Sequence, residues 1–140
     1  LLLDYAGVSQ PDSFQGKSFR SNLMFKTPSD WRKNMYYRYY AHAENRPSHM
    51  GIRTNQHKLI FYYGHPLGLK GTYTKKTTPP AWEYYDLEND PRELSNQYNN
   101  SENKKIISQL KRDLLNLRTE LGDEKTDSDE LKEILENHWE

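Results

Sequence analysis

No cysteine occurs in these 140 residues, which excludes disulfides, thiolate metal sites and a cysteine nucleophile without identifying a compartment. Net charge is lacking too, since 20 Lys and Arg balance 20 Asp and Glu, and no Lys/Arg run exceeds two residues. Neither bulk nor local electrostatics therefore favours nucleic acid or an anionic membrane surface. No stretch approaches membrane-spanning length. Apolar residues are scarce, at 34% of the chain with a mean hydropathy of -1.13, which is little for a self-sufficient core and points to a part of something larger. The chain opens at Leu1, and no basic segment followed by an apolar one lies near it, so any export signal is expected upstream. What the chain does have is rings. Eleven Tyr and three Trp stand among 13% aromatics, and each ring buries a large area while keeping a polar tip available.

The rings concentrate between Asn34 and Gly64, which reads as three strands: Asn34 to Tyr40, His49 to Thr54 and His57 to Tyr63. Aromatic and β-branched residues of this kind suit a pleated, half-buried surface. With Asn55 and Gln56 as a two-residue loop in a primed turn, the last two strands form a hairpin. Counting back from the loop sets Arg53 opposite Lys58, Ile52 opposite Leu59, Gly51 opposite Ile60, Met50 opposite Phe61 and His49 opposite Tyr62. Alternation then gives Met50, Ile52, Leu59 and Phe61 one face, a core, and gives His49, Arg53, Lys58, Ile60 and Tyr62 the other, mixed and basic. Like charges directly across a ladder are unfavourable, so the Arg53/Lys58 pair calls for something negative. Acidic side chains of a neighbouring strand or another domain would serve, as would a ligand anion.

Elsewhere the patterns are local. Leu1 to Val8 reads as the end of a helix closed by Gly7, and Lys17 to Phe25 as a short helical segment. Ala41 to Ser48, AHAENRPS, is a polar loop stiffened by Pro47, and Gly64 to Pro80 a long surface excursion. Trp82 to Leu87 makes a fourth strand, after which Asp90, Pro91 and Glu93 have the layout of a helix start. From Ser101 to Leu121, Ile107, Leu110, Leu114, Leu117 and Leu121 form one helical stripe, widened by Ile106 and Leu115, with Ser101 and Gly122 as caps and Lys111 exposed. A last segment, Asp127 to Trp139, opens with an Asp127/Glu130 capping pair and carries Leu131, Ile134 and Leu135 on one side. The fold class is thus α+β, an antiparallel sheet of about four strands packed against a long C-terminal amphipathic helix.

The succession LLLDYAGV, FQGKSF, DWRKNMYYRYY, HMGIRTNQHKLIFYYG and WEYYDLENDPRELSNQY, closed by a Leu-rich helix, resembles the C-terminal subdomain of type I, formylglycine-dependent sulfatases of the alkaline-phosphatase-like superfamily. The resemblance covers about residues 1 to 122. It implies a parent enzyme that hydrolyses sulfate esters of carbohydrates, exported to the periplasm or outside the cell. Its nucleophile, a formylglycine, and its calcium site would lie in an N-terminal main domain absent from this chain. On this reading residues 1–26 continue from that domain, 27–122 are the subdomain and 123–140 a helical tail. The family's Cys/Ser-x-Pro-x-Arg motif is missing, because Ser9-Gln10-Pro11 is followed by Asp12 and Ser13. Similar sulfatases often direct a His at the place of His49 toward the active-site cleft.

No cofactor or metal site is expected within these residues. Asp90 serves more simply as a cap than as a partner of Asp86 on a metal, and His42 with His49 lacks the further ligands that zinc needs. His49 is a candidate substrate contact or a surface residue paired with Tyr62, and Arg46 a planar anion donor or a solvated loop residue. Arg53 and Lys58 are candidates for an interdomain or anion contact. The cluster Tyr36, Tyr37, Tyr39 and Tyr40 is assigned to core or interface rather than to sugar stacking, and His57, His65 and His138 to no role. Against the sulfatase reading stands a non-catalytic interaction or carbohydrate-binding module, or the same subdomain in a related phosphatase or phosphonate hydrolase.

Overall fold

The computed structural model describes residues 1–43, 45–67 and 74–140, so the middle of the Gly64 to Pro80 excursion, with Glu44, lies outside the described residues. The chain divides into two compact units, Leu1–Arg32 and Lys33–Glu140. In the first, helix α1 (Leu2–Tyr5) ends as its glycine demands: Gly7 has φ +69, and the Val8 amide donates back to the Leu3 carbonyl at 2.9 Å. Helix α2 (Arg20–Leu23) is one turn of the expected segment, and Asp4 ties it to α1 by accepting from Ser18 at 2.7 Å and pairing with Arg20 at 3.3 Å. Leu2, Tyr5, Phe14, Leu23 and Phe25 are left exposed.

The second unit is built on the expected sheet. Strands β1 (Met35–Tyr39), β2 (His49–Arg53), β3 (His57–Tyr62) and β4 (Ala81–Asp86) lie side by side in chain order, all antiparallel. The β2–β3 register is the counted one, from His49 opposite Tyr62 to Arg53 opposite Lys58. Its turn is not the primed type, however, since neither Asn55 nor Gln56 has a positive φ. Thr54 closes it instead: its Oγ1 accepts from the Gln56 amide at 3.1 Å and the His57 amide at 2.9 Å, a side chain standing in for a backbone turn.

Helix α3 (Lys104–Leu121) covers the core face. Ile107, Leu110 and Leu114 meet Met50, Ile52, Leu59 and Phe61 in one buried cluster, each aliphatic side chain contributing about 1.5 to 3 kcal/mol by leaving water. The stripe differs from the expected one at its C-terminal half. Leu115 and Leu121 are exposed, and Arg118, one turn beyond Leu114, is buried. Lys111 is not an exposed position either, because its ammonium lies 4.5 Å from the Trp82 ring centre and donates to the Trp139 carbonyl. A 3₁₀ turn, Ser101–Asn103, precedes α3 and is capped by Asn100, whose side chain accepts from the Glu102 amide at 3.1 Å, so Ser101 is not the cap.

Two further helix starts differ from their sequence reading because a distant partner takes the capping residue. After β4 the chain turns at Pro91 and Arg92 without forming a helix. Asp90 accepts from the Ser95 amide at 2.9 Å, and the Glu93 carboxylate is drawn to Lys58 rather than back to Asp90. Helix α4 (Asp129–His138) is capped by Ser128, which accepts from the Leu131 amide at 3.2 Å. Asp127 instead pairs with Arg38 at 3.1 Å and with Arg118, while Asp123 accepts from Arg38 and Tyr36, both at 2.8 Å. Leu131, Ile134 and Trp139 join the core, Trp139 packing edge-on to Phe61 and Trp82. Among the described residues no helix is long and apolar enough to cross a membrane.

Candidate functional site

The face of the sheet away from α3 carries the site. Pairing β1 with β2 sets Tyr39 opposite His49 and Tyr37 opposite Gly51, so strand alternation sends Tyr37 and Tyr39 to this face and Tyr36 and Arg38 to the helix side. With Tyr62 across the hairpin, these rings surround His49 at centroid distances of 5.1 Å (Tyr37), 5.4 Å (Tyr39) and 4.9 Å (Tyr62). Asn45, Arg46 and Pro47 close one side, giving an open pocket of about 360 Å³. His49 and Arg46 are thus brought together.

The wall of this pocket hangs on a buried histidine. His42 is fully buried, its Nε2 donating to the Lys76 carbonyl at 2.8 Å and its Nδ1 accepting from the Ser48 amide at 3.3 Å. Ser48 in turn donates to the His65 carbonyl at 2.8 Å and accepts from the His65 amide at 3.1 Å. The loop presenting Arg46 is therefore bolted to the segment that follows β3 by fully satisfied polar groups, as buried ones must be. His42 serves as this bolt, and nothing in its sequence surroundings marks the role.

Charge at the pocket is set by its neighbours. Burial lowers the His49 pKa below the ordinary imidazole value; the Pro47 carbonyl opposes this, Lys58 adds to it and Glu83 offsets it in part. Tyr62 donates to Glu83 at 3.0 Å, and burial together with that carboxylate raises the phenol's pKa. The Arg46 guanidinium is exposed and has no carboxylate partner among the described residues. Further along the same face a groove of about 230 Å³ is lined by Tyr37, Gly51, Arg53, Lys58 and Ile60. Lys58 finds its negative partner in Glu93 at 2.5 Å, whereas Arg53 is exposed with no acidic partner among the described residues.

No group of three or more His, Asp or Glu among the described residues could hold an ion. Asp86 is occupied by the Glu88 amide at 3.0 Å and the Asn89 side chain at 2.8 Å. His57 stacks on Tyr84 and His65 pairs with Glu130 at 2.8 Å, contacts that hold elements together.

Sheet and helix match one class of domain. The chain belongs to the family described as N-sulphoglucosamine sulphohydrolase, C-terminal, whose profile matches residues 1–120. Among its relatives is an N-acetylglucosamine-6-O-sulfatase of Bacteroides thetaiotaomicron, 36% identical over 96% of this chain and 22% of the relative. An arylsulfatase of Clostridium perfringens is 31% identical over 81% of this chain and 20% of the relative. A structure solved with its substrate, D-glucosamine-2-N,6-O-disulfate, superposes with a TM-score of 0.67 at 34% identity, covering 86% of this chain and 23% of that one. The chain therefore spans about a fifth of the length of the curated relatives it matches.

Proposed function

We propose that this chain is the C-terminal subdomain of a sulfatase that hydrolyses sulfate esters of sulfated carbohydrates, and that it completes the substrate pocket of that enzyme. Nucleophile and metal are assigned to the N-terminal domain that the relatives' length implies, where the family's formylglycine and calcium would act. Residues 1–26 are then the junction with that domain, and Arg53 is matched there by a carboxylate. The observation that carries the reading is the meeting of Arg46 and His49 with three tyrosines in one concave site, on a chain with a relative named as an N-acetylglucosamine-6-O-sulfatase. Such rings offer flat apolar faces to a sugar, and a guanidinium with no carboxylate partner among the described residues suits a sulfate or carboxylate through its planar fork. Donors that touch parts of the substrate remote from the scissile ester raise kcat/KM for substrates that have those parts.

In the full-length enzyme, Arg46→Ala is expected to lower kcat/KM for D-glucosamine-2-N,6-O-disulfate while sparing a small aryl sulfate. Loss of one charge-assisted hydrogen bond is worth roughly 1.5 to 3 kcal/mol, about 10- to 150-fold. Equal kcat/KM values for wild type and variant on the sugar would remove the pocket from substrate recognition. The 140-residue chain alone is expected to turn over no aryl sulfate above a buffer control, since stabilising the transition state needs nucleophile and metal together.

A further inference from the structure

Both ring nitrogens of His49 are committed, and their commitments decide what kind of ligand group it can take. Nδ1 lies 2.7 Å from the Pro47 carbonyl oxygen. That oxygen can only accept, so in the neutral imidazole the ring proton resides on Nδ1 and Nε2 keeps a lone pair. The Tyr37 hydroxyl meets Nε2 and must be the donor there. A sulfate or carboxylate oxygen brings lone pairs and no proton, and would be repelled at Nε2. A sugar hydroxyl brings the proton that Tyr37 now provides. Tyr37 is 40% exposed, on the first strand of the sheet, so its whole side chain can rotate toward solvent and leave Nε2 to a ligand. Arg46 has the opposite character, five donors and no acceptor, and stands on the same pocket unpaired by any described carboxylate.

Resting on the carbohydrate reading of this pocket, we propose that His49 is its hydroxyl reader: a neutral acceptor that exchanges the Tyr37 hydroxyl for a hydroxyl of a sugar ring, while Arg46 takes an anionic substituent of the same ligand. The ligand class is a sugar with a free hydroxyl beside a sulfate or carboxylate. The groups facing the imidazole agree with a neutral ring. Among the described residues Lys58 and Arg46 are cationic, Tyr37, Tyr39 and Tyr62 are phenols, and the acid acting on the ring is Glu83, which is engaged by Tyr62. Burial further favours the uncharged imidazole.

The test uses the full-length enzyme, with D-glucosamine-2-N,6-O-disulfate and its 3-deoxy and 4-deoxy analogues as probes. Tyr37→Phe keeps the ring and frees Nε2 for the substrate, so kcat/KM for the disulfate, relative to an aryl sulfate, is expected to rise about 2- to 12-fold, the reach of one neutral hydrogen bond. One of the two deoxy analogues should lose that gain, because it lacks the proton His49 accepts. A fall in kcat/KM on Tyr37→Phe, or a gain kept by both analogues, overturns the exchange. If Arg46→Ala weakens the disulfate while Tyr37→Phe changes nothing, the pocket stands and the acceptor role fails; if neither variant has an effect, the pocket reading fails with it.

Discussion

The Lys58 ammonium lies 2.5 Å from a carboxylate oxygen of Glu93, a residue whose backbone is held at φ +56. A left-handed conformation costs a residue with a Cβ roughly 1 to 2 kcal/mol, and here it turns the carboxylate back over the sheet to the cation that stands opposite Arg53. Glu93→Gln should therefore lower stability by up to about 1 kcal/mol, as a partly exposed pair allows. Glu93→Gly should cost less than Glu93→Gln, because it loses the pair and relieves the backbone as well. Denaturant midpoints with the two variants ranked the other way would show that the conformation carries no strain.

Leu114 is fully buried while Leu115, its neighbour in sequence, is 39% exposed. Leu114→Ala should cost roughly 2 to 5 kcal/mol and Leu115→Ala less than about 0.5. Lys111→Ala belongs between them, at about 1 kcal/mol, since its ammonium sits over Trp82. Equal midpoint shifts for the two leucines would show that α3 is not packed on the sheet.

Arg38, Arg118, Asp123 and Asp127 form a buried, charge-balanced group with side-chain exposures of 3%, 3%, 9% and 5%. Removing one member leaves an opposite charge unpaired, so Arg118→Ala should cost roughly 3 to 5 kcal/mol. A loss below about 1 kcal/mol by chemical denaturation would mean that water reaches the group.

The same group sets an acid limit. Burial works to raise the Asp123 pKa, but hydrogen bonds from Tyr40 and Tyr36 and the Arg38 charge outweigh it and hold the carboxyl below its usual 3.8. A carboxylate with a depressed folded pKa contributes stability that is present above the unfolded value and lost as pH falls through the folded one. Unfolding free energy should thus drop below about pH 4, with a shallower slope in Asp123→Asn. Identical slopes would exclude Asp123 as a source of the acid sensitivity.

His42→Ala would strand the buried Ser48 amide, at about 1 to 3 kcal/mol for a buried group left unpaired. Faster amide exchange should then appear at Ser48 and His65 before it appears in α3. Exchange rising uniformly across the chain would mean that His42 supports the whole fold and not this loop.

Strand alternation and helical periodicity are carried by neighbours in sequence, which is why the β2–β3 register, its two faces and the Ile107, Leu110 and Leu114 stripe could be read from residues alone. The hairpin also placed His49 beside Tyr62 and Lys58 beside Arg53 before any fold was known. Alternation separates Tyr37 and Tyr39 from Tyr36 and Tyr40, but which pair lies beside His49 could not be read in the same way, because β1 joins β2 through a loop too long to set its register. Arg118, Asp127 and Glu93 lay further out of reach. Asp127 and Glu93 leave their local patterns for Arg38 and Lys58, 89 and 35 positions away, and Arg118 for the two aspartates that Arg38 also holds, because an unpaired charge in a buried place costs more than a helix cap or a clean apolar stripe returns. Sequence by itself determined the four strands, the β2–β3 register and the family; only the tertiary structure decided which polar residues leave their local roles, because that choice rests on electrostatics and burial.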